Sequence, residues 1–157
     1  MNIRRAEIND IPRLTSLLHQ VLDVHQSARP DIFRKGAVKY TEDELCKILS
    51  DDSRPVFVAV DEVVGVVGYC FCILLCHEND NILTDIKTLY IDDLCVDINA
   101  RGGGVGKLLY QYAVEYAKAQ GCYNLTLNVW ADNKNALGFY RSLGLGEQKI
   151  GMELILE

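Results

Sequence analysis

The chain has 157 residues, 49% apolar and 24% charged, with a formal charge of −6 and a pI near 5.0. That composition is ordinary for a globular protein, and the length suits one domain, 1–157, whose core buries about two-thirds of the unfolded surface. The acidic balance argues against a nucleic-acid partner, which requires basic surface to displace counterions. No apolar run reaches the ~18–20 residues of a membrane span, since Val56–Cys76 is interrupted by Asp61, Glu62 and glycines, so no membrane partner is expected.

Asn2–Arg5 reads as a short first strand, and this start lacks the apolar core of a secretory signal, so a cytoplasmic location is expected. Asn9 or Asp10 can cap a helix that has Pro12 in its first turn and runs to about Ser27. Ile11, Leu14, Leu17, Leu18, Val21 and Leu22 form its apolar stripe at helical spacing. Ala28–Lys39 contains Pro30 and Gly36 and reads as a loop, after which Thr41 and Glu44 make a capping box for a second helix to about Ser50.

Val56–Val60 and Val63–Cys76 are β-branched and aromatic runs about Asp61 and Glu62, the pattern of a hairpin. A polar loop, His77–Thr84, precedes a strand over Ile86–Val96. Gly102, Gly103, Gly104 and Gly106 then open a third helix, Val105–Gln120, expected to bury Val105, Leu108, Leu109, Tyr112, Ala113 and Tyr116 and to stop at Gly121. Asn124–Trp130 alternates as a strand with Trp130 in the core, Asp132 or Asn133 caps a helix over Lys134–Leu143, and a final strand is expected near Glu147–Leu156. Helices between some strands and a meander in the middle predict an α/β (α+β) domain: a mixed, mostly antiparallel sheet with helices on both faces. The six cysteines form no CxxC pair and are expected as buried reduced thiols, with no metal site.

A strand that feeds a helix through glycines makes an anion site, because free backbone N–H groups and the helix dipole converge there. A P-loop would need glycine at Arg101 and Ser or Thr at Leu108, and a dinucleotide fingerprint would need glycine at Lys107 or Leu109; both fail. The run Arg101-Gly102-Gly103-Gly104-Val105-Gly106 instead resembles the acyl-CoA signature of the GNAT superfamily of N-acetyltransferases: Gln or Arg, two residues, Gly, one residue, then Gly or Ala. Asn133-Lys134-Asn135-Ala136-Leu137-Gly138-Phe139-Tyr140, with Leu143-Gly144-Leu145, resembles the same family's N-x-x-A-x-x-F-Y-x-x-x-G-F block, Leu145 standing for the usual Phe.

The resemblance covers essentially the whole chain and implies the GNAT acyl-CoA N-acyltransferase fold with acetyl-CoA as co-substrate. By likeness to the family, the pyrophosphate would rest on backbone amides from Arg101 through Gly102, Gly103, Gly104, Val105 and Gly106 to Lys107. The pantetheine arm would pair with backbone groups of Leu94, Cys95 and Val96, and Asn133 would contact that arm. Tyr140 matches the tyrosine that protonates the departing sulfur in many relatives.

An alkyl ammonium must lose a proton before it attacks, so Asp92 or Asp93 is a candidate base, directly or through water. Successive side chains on a strand face opposite ways, so only one can face the reacting centre unless the strand is bulged. The alternative is that both carboxylates are solvated or hold the acceptor's charge. His25 and Phe33 are candidates for the acceptor pocket, which the family builds from its first helices. The expected reaction is direct acetyl transfer, in a ternary complex, to a primary amine of a small cationic molecule or of a lysine or peptide. A homodimer is a further possibility from the resemblance. The competing readings are a non-catalytic acyl-CoA sensor and an unrelated α/β domain that binds another phosphate ligand.

Overall fold

The computed structural model describes residues 1–156. Its elements are β1 (Asn2–Arg5), a 3-10 turn (Ile8–Asp10), α1 (Ile11–Ala28), α2 (Glu42–Leu49), β2 (Val56–Asp61), β3 (Gly65–Cys76) and β4 (Lys87–Val96). A second 3-10 turn (Ile98–Ala100), α3 (Val105–Ala119), β5 (Asn124–Leu127) and α4 (Lys134–Ser142) follow. The strands form one sheet in chain order, antiparallel through β4 and parallel between β4 and β5.

The period of two along the strands sorts the core into two layers. Val56 and Val58 of β2, with Tyr69 and Phe71 of β3, pack under α1 and α2 against Leu14, Leu17, Leu18, Leu45 and Ile48. Phe57, Ala59, Cys70, Cys72, Leu89 and Ile91 face the other way, onto Leu109, Ala113 and Ala117 of α3. The Thr41 box closes as expected: the Glu44 amide donates to the Thr41 hydroxyl at 3.3 Å, and the Thr41 amide donates to the Glu44 carboxylate at 2.8 Å. Cys70 and Cys72 share a side, with sulfurs 3.6 Å apart and both thiols free and buried, whereas Cys76 is exposed.

Four expectations need correction. The buried stripe of α3 is Val105, Leu109, Ala113 and Ala117, spaced by four, which leaves Leu108 and Tyr112 on its flank at 41% and 39% exposure. The β5 strand ends at Leu127, and Trp130 lies beyond it, 41% exposed instead of in the core. The segment 147–156 forms no strand; Ile150, Met152, Leu154, Ile155 and Leu156 are exposed, and the segment is fastened by Arg29 to Glu153 at 2.6 Å and Arg141 to Glu147 at 2.5 Å. Alternating apolar residues set the face a strand would bury, but they supply no neighbour to pair with, and here the sheet stops at β5.

Candidate active site

The site is built around the far half of β4. Against β3, Phe71 pairs with Asp93 while Cys72 pairs with Ile91, so Asp92 is an extra, bulged residue. A bulge cancels the alternation that would otherwise send neighbouring side chains to opposite faces. Both carboxylates therefore converge on one ammonium: Lys39 Nζ lies 3.0 Å from Asp92 Oδ2 and 3.6 Å from Asp93 Oδ2.

The two aspartates sit in different surroundings. Asp92 accepts a 2.7 Å hydrogen bond from the Tyr40 hydroxyl. Asp93, whose side chain is 10% exposed, accepts one of 3.1 Å from the Tyr69 hydroxyl. Burial pushes the Asp93 carboxyl above the usual range, and the Asp92 charge adds to this; Lys39, the Tyr69 hydroxyl and His25 oppose it without cancelling it. Burial likewise holds His25 below its usual value, against the pull of Asp93. Burial is also the main cause for Tyr140, raised further by nearby Cys70 and Asp93, so its phenol keeps its proton across the physiological range. Burial pushes the Cys95 thiol up to about 12.

Beside the aspartates an edge of the sheet lies open. The ladder between β4 and β5 runs only from Thr88–Asn124 to Ile91–Leu127, so among the described residues Asp92 through Val96 have no neighbouring strand on that side. The Asp97 amide donates to the Val67 carbonyl at 2.9 Å, and hydrogen-bonded pairs alternate along an antiparallel ladder. Cys95 therefore spends its backbone groups on Tyr69 of β3, while Leu94 and Val96 point theirs at the open edge. Arg101 Nε donates to the Val96 carbonyl at 3.1 Å.

The glycine loop follows. Gly102 and Gly104 have φ of +82° and +78°, the left-handed region that favours glycine, and a Cβ at either would meet open space. No side chain caps α3 at Gly104, so the first-turn amides of Val105, Gly106 and Lys107, which have no partner within a helix, remain as donors. Gly103 is exposed between them. A Cβ on Gly106 would stand 3.3 Å from the Phe139 ring, so the two sequence motifs meet where α4 crosses the start of α3. Asn133 Oδ1 caps α4 by accepting from the Ala136 amide at 3.1 Å, and the Tyr140 ring lies 5.1 Å from Phe139.

A cleft of about 250 Å³ is lined by His25, Phe33, Trp130 and Asn133, among others. His25 stacks on Phe33 at 5.2 Å, and Phe33 meets the edge of Trp130 at 5.3 Å. The candidate acceptor residues thus adjoin the end of α4 that carries Asn133. Sequence reasoning missed Lys39, Tyr40 and Tyr69, and it assigned Trp130 to the core. Tyr69 could be found only from the β3–β4 register, and Lys39 and Tyr40 stand in a loop with no periodic signal. Among the described residues, no group of three or more His, Cys, Asp or Glu side chains is arranged to hold a metal, and no helix is long and apolar enough to cross a membrane.

A family model described as the acetyltransferase (GNAT) family matches residues 18–145. The chain belongs to this family. Glucosamine 6-phosphate N-acetyltransferase 1 of Oryza sativa subsp. japonica is 29% identical over 97% of this chain and 85% of that protein. A peptidyl-lysine N-acetyltransferase of Salmonella typhimurium is 28% identical over 92% of this chain and 82% of that one. The solved structure of a mutant Bacillus halodurans protein matches with a TM-score of 0.95 and 34% identity, covering 100% of both chains. The chain is thus a GNAT N-acetyltransferase, and the family's donor is acetyl-CoA. The residues present fit that donor: an unpaired β edge at Leu94 and Val96 suits an amide-bearing arm, and the uncapped start of α3 suits a pyrophosphate.

Proposed function

We propose that this GNAT enzyme acetylates a primary alkyl amine that binds as a cation, a small polycationic molecule or a lysine side chain, by direct attack within a ternary complex. One observation carries the reading: two carboxylates at the open edge of β4 both face the same ammonium group. Acetyl-CoA supplies the activated acyl group. Asp92, partly exposed and held by Tyr40, fixes the incoming charge, and Asp93 accepts the proton that must leave before the amine can attack. A raised carboxyl suits the second role, because a base poised nearer neutrality returns its proton more easily. The Leu94 amide, directed at the open edge, is the donor placed for the developing oxyanion. Tyr140 keeps the proton that the departing sulfur needs.

Direct transfer is supported by the state of Cys95: a thiol raised to about 12 by burial supplies almost no thiolate for an acetyl-cysteine path. In this reading the pantetheine contacts narrow to the backbone of Leu94 and Val96, because Cys95 already pairs with β3. Arg101 and Lys107 add positive charge beside the pyrophosphate amides. The two curated relatives act, by their names, on a sugar phosphate amine and on peptidyl-lysine, and the carboxylate pair favours the more cationic type. The test is CoA release from acetyl-CoA across a panel of polyamines, diamines, aminoglycosides, lysine peptides and glucosamine 6-phosphate. Turnover confined to anionic or neutral amines would overturn the cationic acceptor, and CoA binding with no turnover would leave a sensor.

A further inference from the structure

The Lys39 ammonium has every partner that an alkyl-ammonium site offers. Besides the carboxylates of Asp92 and Asp93, it lies 3.5 Å from the Asp92 carbonyl and 5.4 Å from the centre of the Tyr40 ring. The chain beside it is anchored too, since the next residue, Tyr40, packs its ring 5.6 Å from Phe71 and donates to Asp92. Among the described residues, Lys39 is the lysine paired with these carboxylates, and Lys118, the other lysine in an ion pair, binds Glu115 on a distant helix face. Its nitrogen lies 3.6 Å from the buried Asp93 carboxylate, the group that in the proposed reading takes the acceptor's proton.

We propose that Lys39 is itself an acceptor, acetylated in cis when acetyl-CoA binds without a competing amine. This rests on the reading that the chain transfers acetyl groups to cationic amines. Asp93 takes one ammonium proton, and the freed Lys39 nitrogen forms a bond to the acetyl carbonyl carbon. The thioester C–S bond breaks, its electron pair leaves with sulfur, and the sulfur is protonated as CoA thiol. The second proton lost from nitrogen balances that protonation, so the net products are acetyl-lysine, CoA thiol and one proton. Acetylation also removes the charge that holds Lys39 on the aspartates.

The full-length protein is incubated with isotopically labelled acetyl-CoA and no amine, then followed by intact mass and peptide mapping. The expected result is one acetyl group per chain at Lys39, gained at least about tenfold faster than at the surface residues Lys35 and Lys47. The rate per chain should not change with protein concentration, and Asp93→Asn should remove the preference for Lys39. Labelling of Lys39 no faster than of Lys35 and Lys47, or a rate proportional to protein concentration, would overturn the proposal. The amine panel, run in parallel, separates the two failures. Turnover without label at Lys39 sinks self-acetylation alone, and no turnover with any amine sinks the parent reading with it.

Discussion

The two halves of the site are organised by different parts of the chain. In the proposed reading the donor half, from Leu94 to Lys107, is main chain: a β edge with no neighbouring strand, left-handed glycines and uncapped helix amides. The acceptor half is side chain: Asp92, Asp93, Lys39, Tyr40 and Tyr69 are joined by ion pairs and hydrogen bonds between three separate elements of the fold. Backbone recognition tolerates almost any sequence that keeps the path of the chain, whereas a side-chain network depends on each member. Substitutions in the acceptor half should therefore change turnover with little change in CoA binding, and those in the donor half should do the reverse.

The largest expected effect tests that division directly. Asp93→Asn removes the proposed base while keeping shape, and turnover should fall by about 10²–10⁴-fold with CoA affinity within about twofold. Because its folded value lies above the unfolded one, Asp93 contributes stability that is present at low pH and lost as pH rises through that raised value. Asp93→Asn should therefore melt no lower than the wild type near pH 8, even as activity collapses. A large loss of CoA affinity, or a lower melting point in alkali, would break the comparison. Tyr140→Phe comes next: turnover should drop by about 10–10²-fold at saturating acetyl-CoA, and unchanged turnover would remove Tyr140 from the acid role.

The donor half gives the mirror test. At Gly104, φ is +78° and a Cβ would meet nothing within 4 Å, so Gly104→Ala acts through backbone conformation alone. The strain of a left-handed alanine is about 1–2 kcal/mol; the free loop can relax away from it and the CoA-bound loop cannot, so CoA binding should weaken by roughly tenfold. Turnover at saturating CoA should survive. Calorimetric titration with CoA checks the first statement and initial rates check the second; a fall in turnover at saturation would mean that the halves are not separable.

The same division explains what could be read in advance. Glycines at fixed offsets, the Thr41–Glu44 box and the Asn133 cap are local devices, and a linear sequence displays local devices. Whether one or both aspartates face the same centre was not displayed, because it depends on whether β4 is bulged, and the bulge at Asp92 arises from register against β3. Tyr69 reaches Asp93 through that register, and Lys39 and Tyr40 arrive from the α1–α2 connection, which has no periodic signal. Trp130 was assigned to the core because β5 was expected to run to it; the strand ends at Leu127, and the indole lines the cleft with Phe33. The tail failed for the same reason, since apolar alternation over 147–156 does not specify a neighbouring strand.

Asp97 lies within the donor half and gives the smallest effect, with a sign opposite to that of Asp93. It directly follows β4 and caps the 3-10 turn Ile98–Ala100, with a side chain that is 7% exposed. One oxygen accepts from the Asn99 amide at 2.8 Å, and the other meets the Arg13 guanidinium, which in turn donates to the Val66 carbonyl at 2.8 Å. The Asn99 amide, then Arg13 and Gln20, hold its carboxyl below the ordinary 3.8 despite burial. A lowered folded value contributes stability that is full above the unfolded value and is lost as pH falls through the folded one. Asp97→Asn keeps the shape but gives up the ion pair, and Arg13 is partly solvated, so the cost near pH 7 should be about 1 kcal/mol, a melting point lower by roughly 2–4 °C. Once pH has fallen through that lowered folded value the wild-type and variant melting curves should converge, because there the wild type is protonated too. A gap that stays constant down to acid pH would show that Asp97 anchors the glycine loop by shape and not by charge.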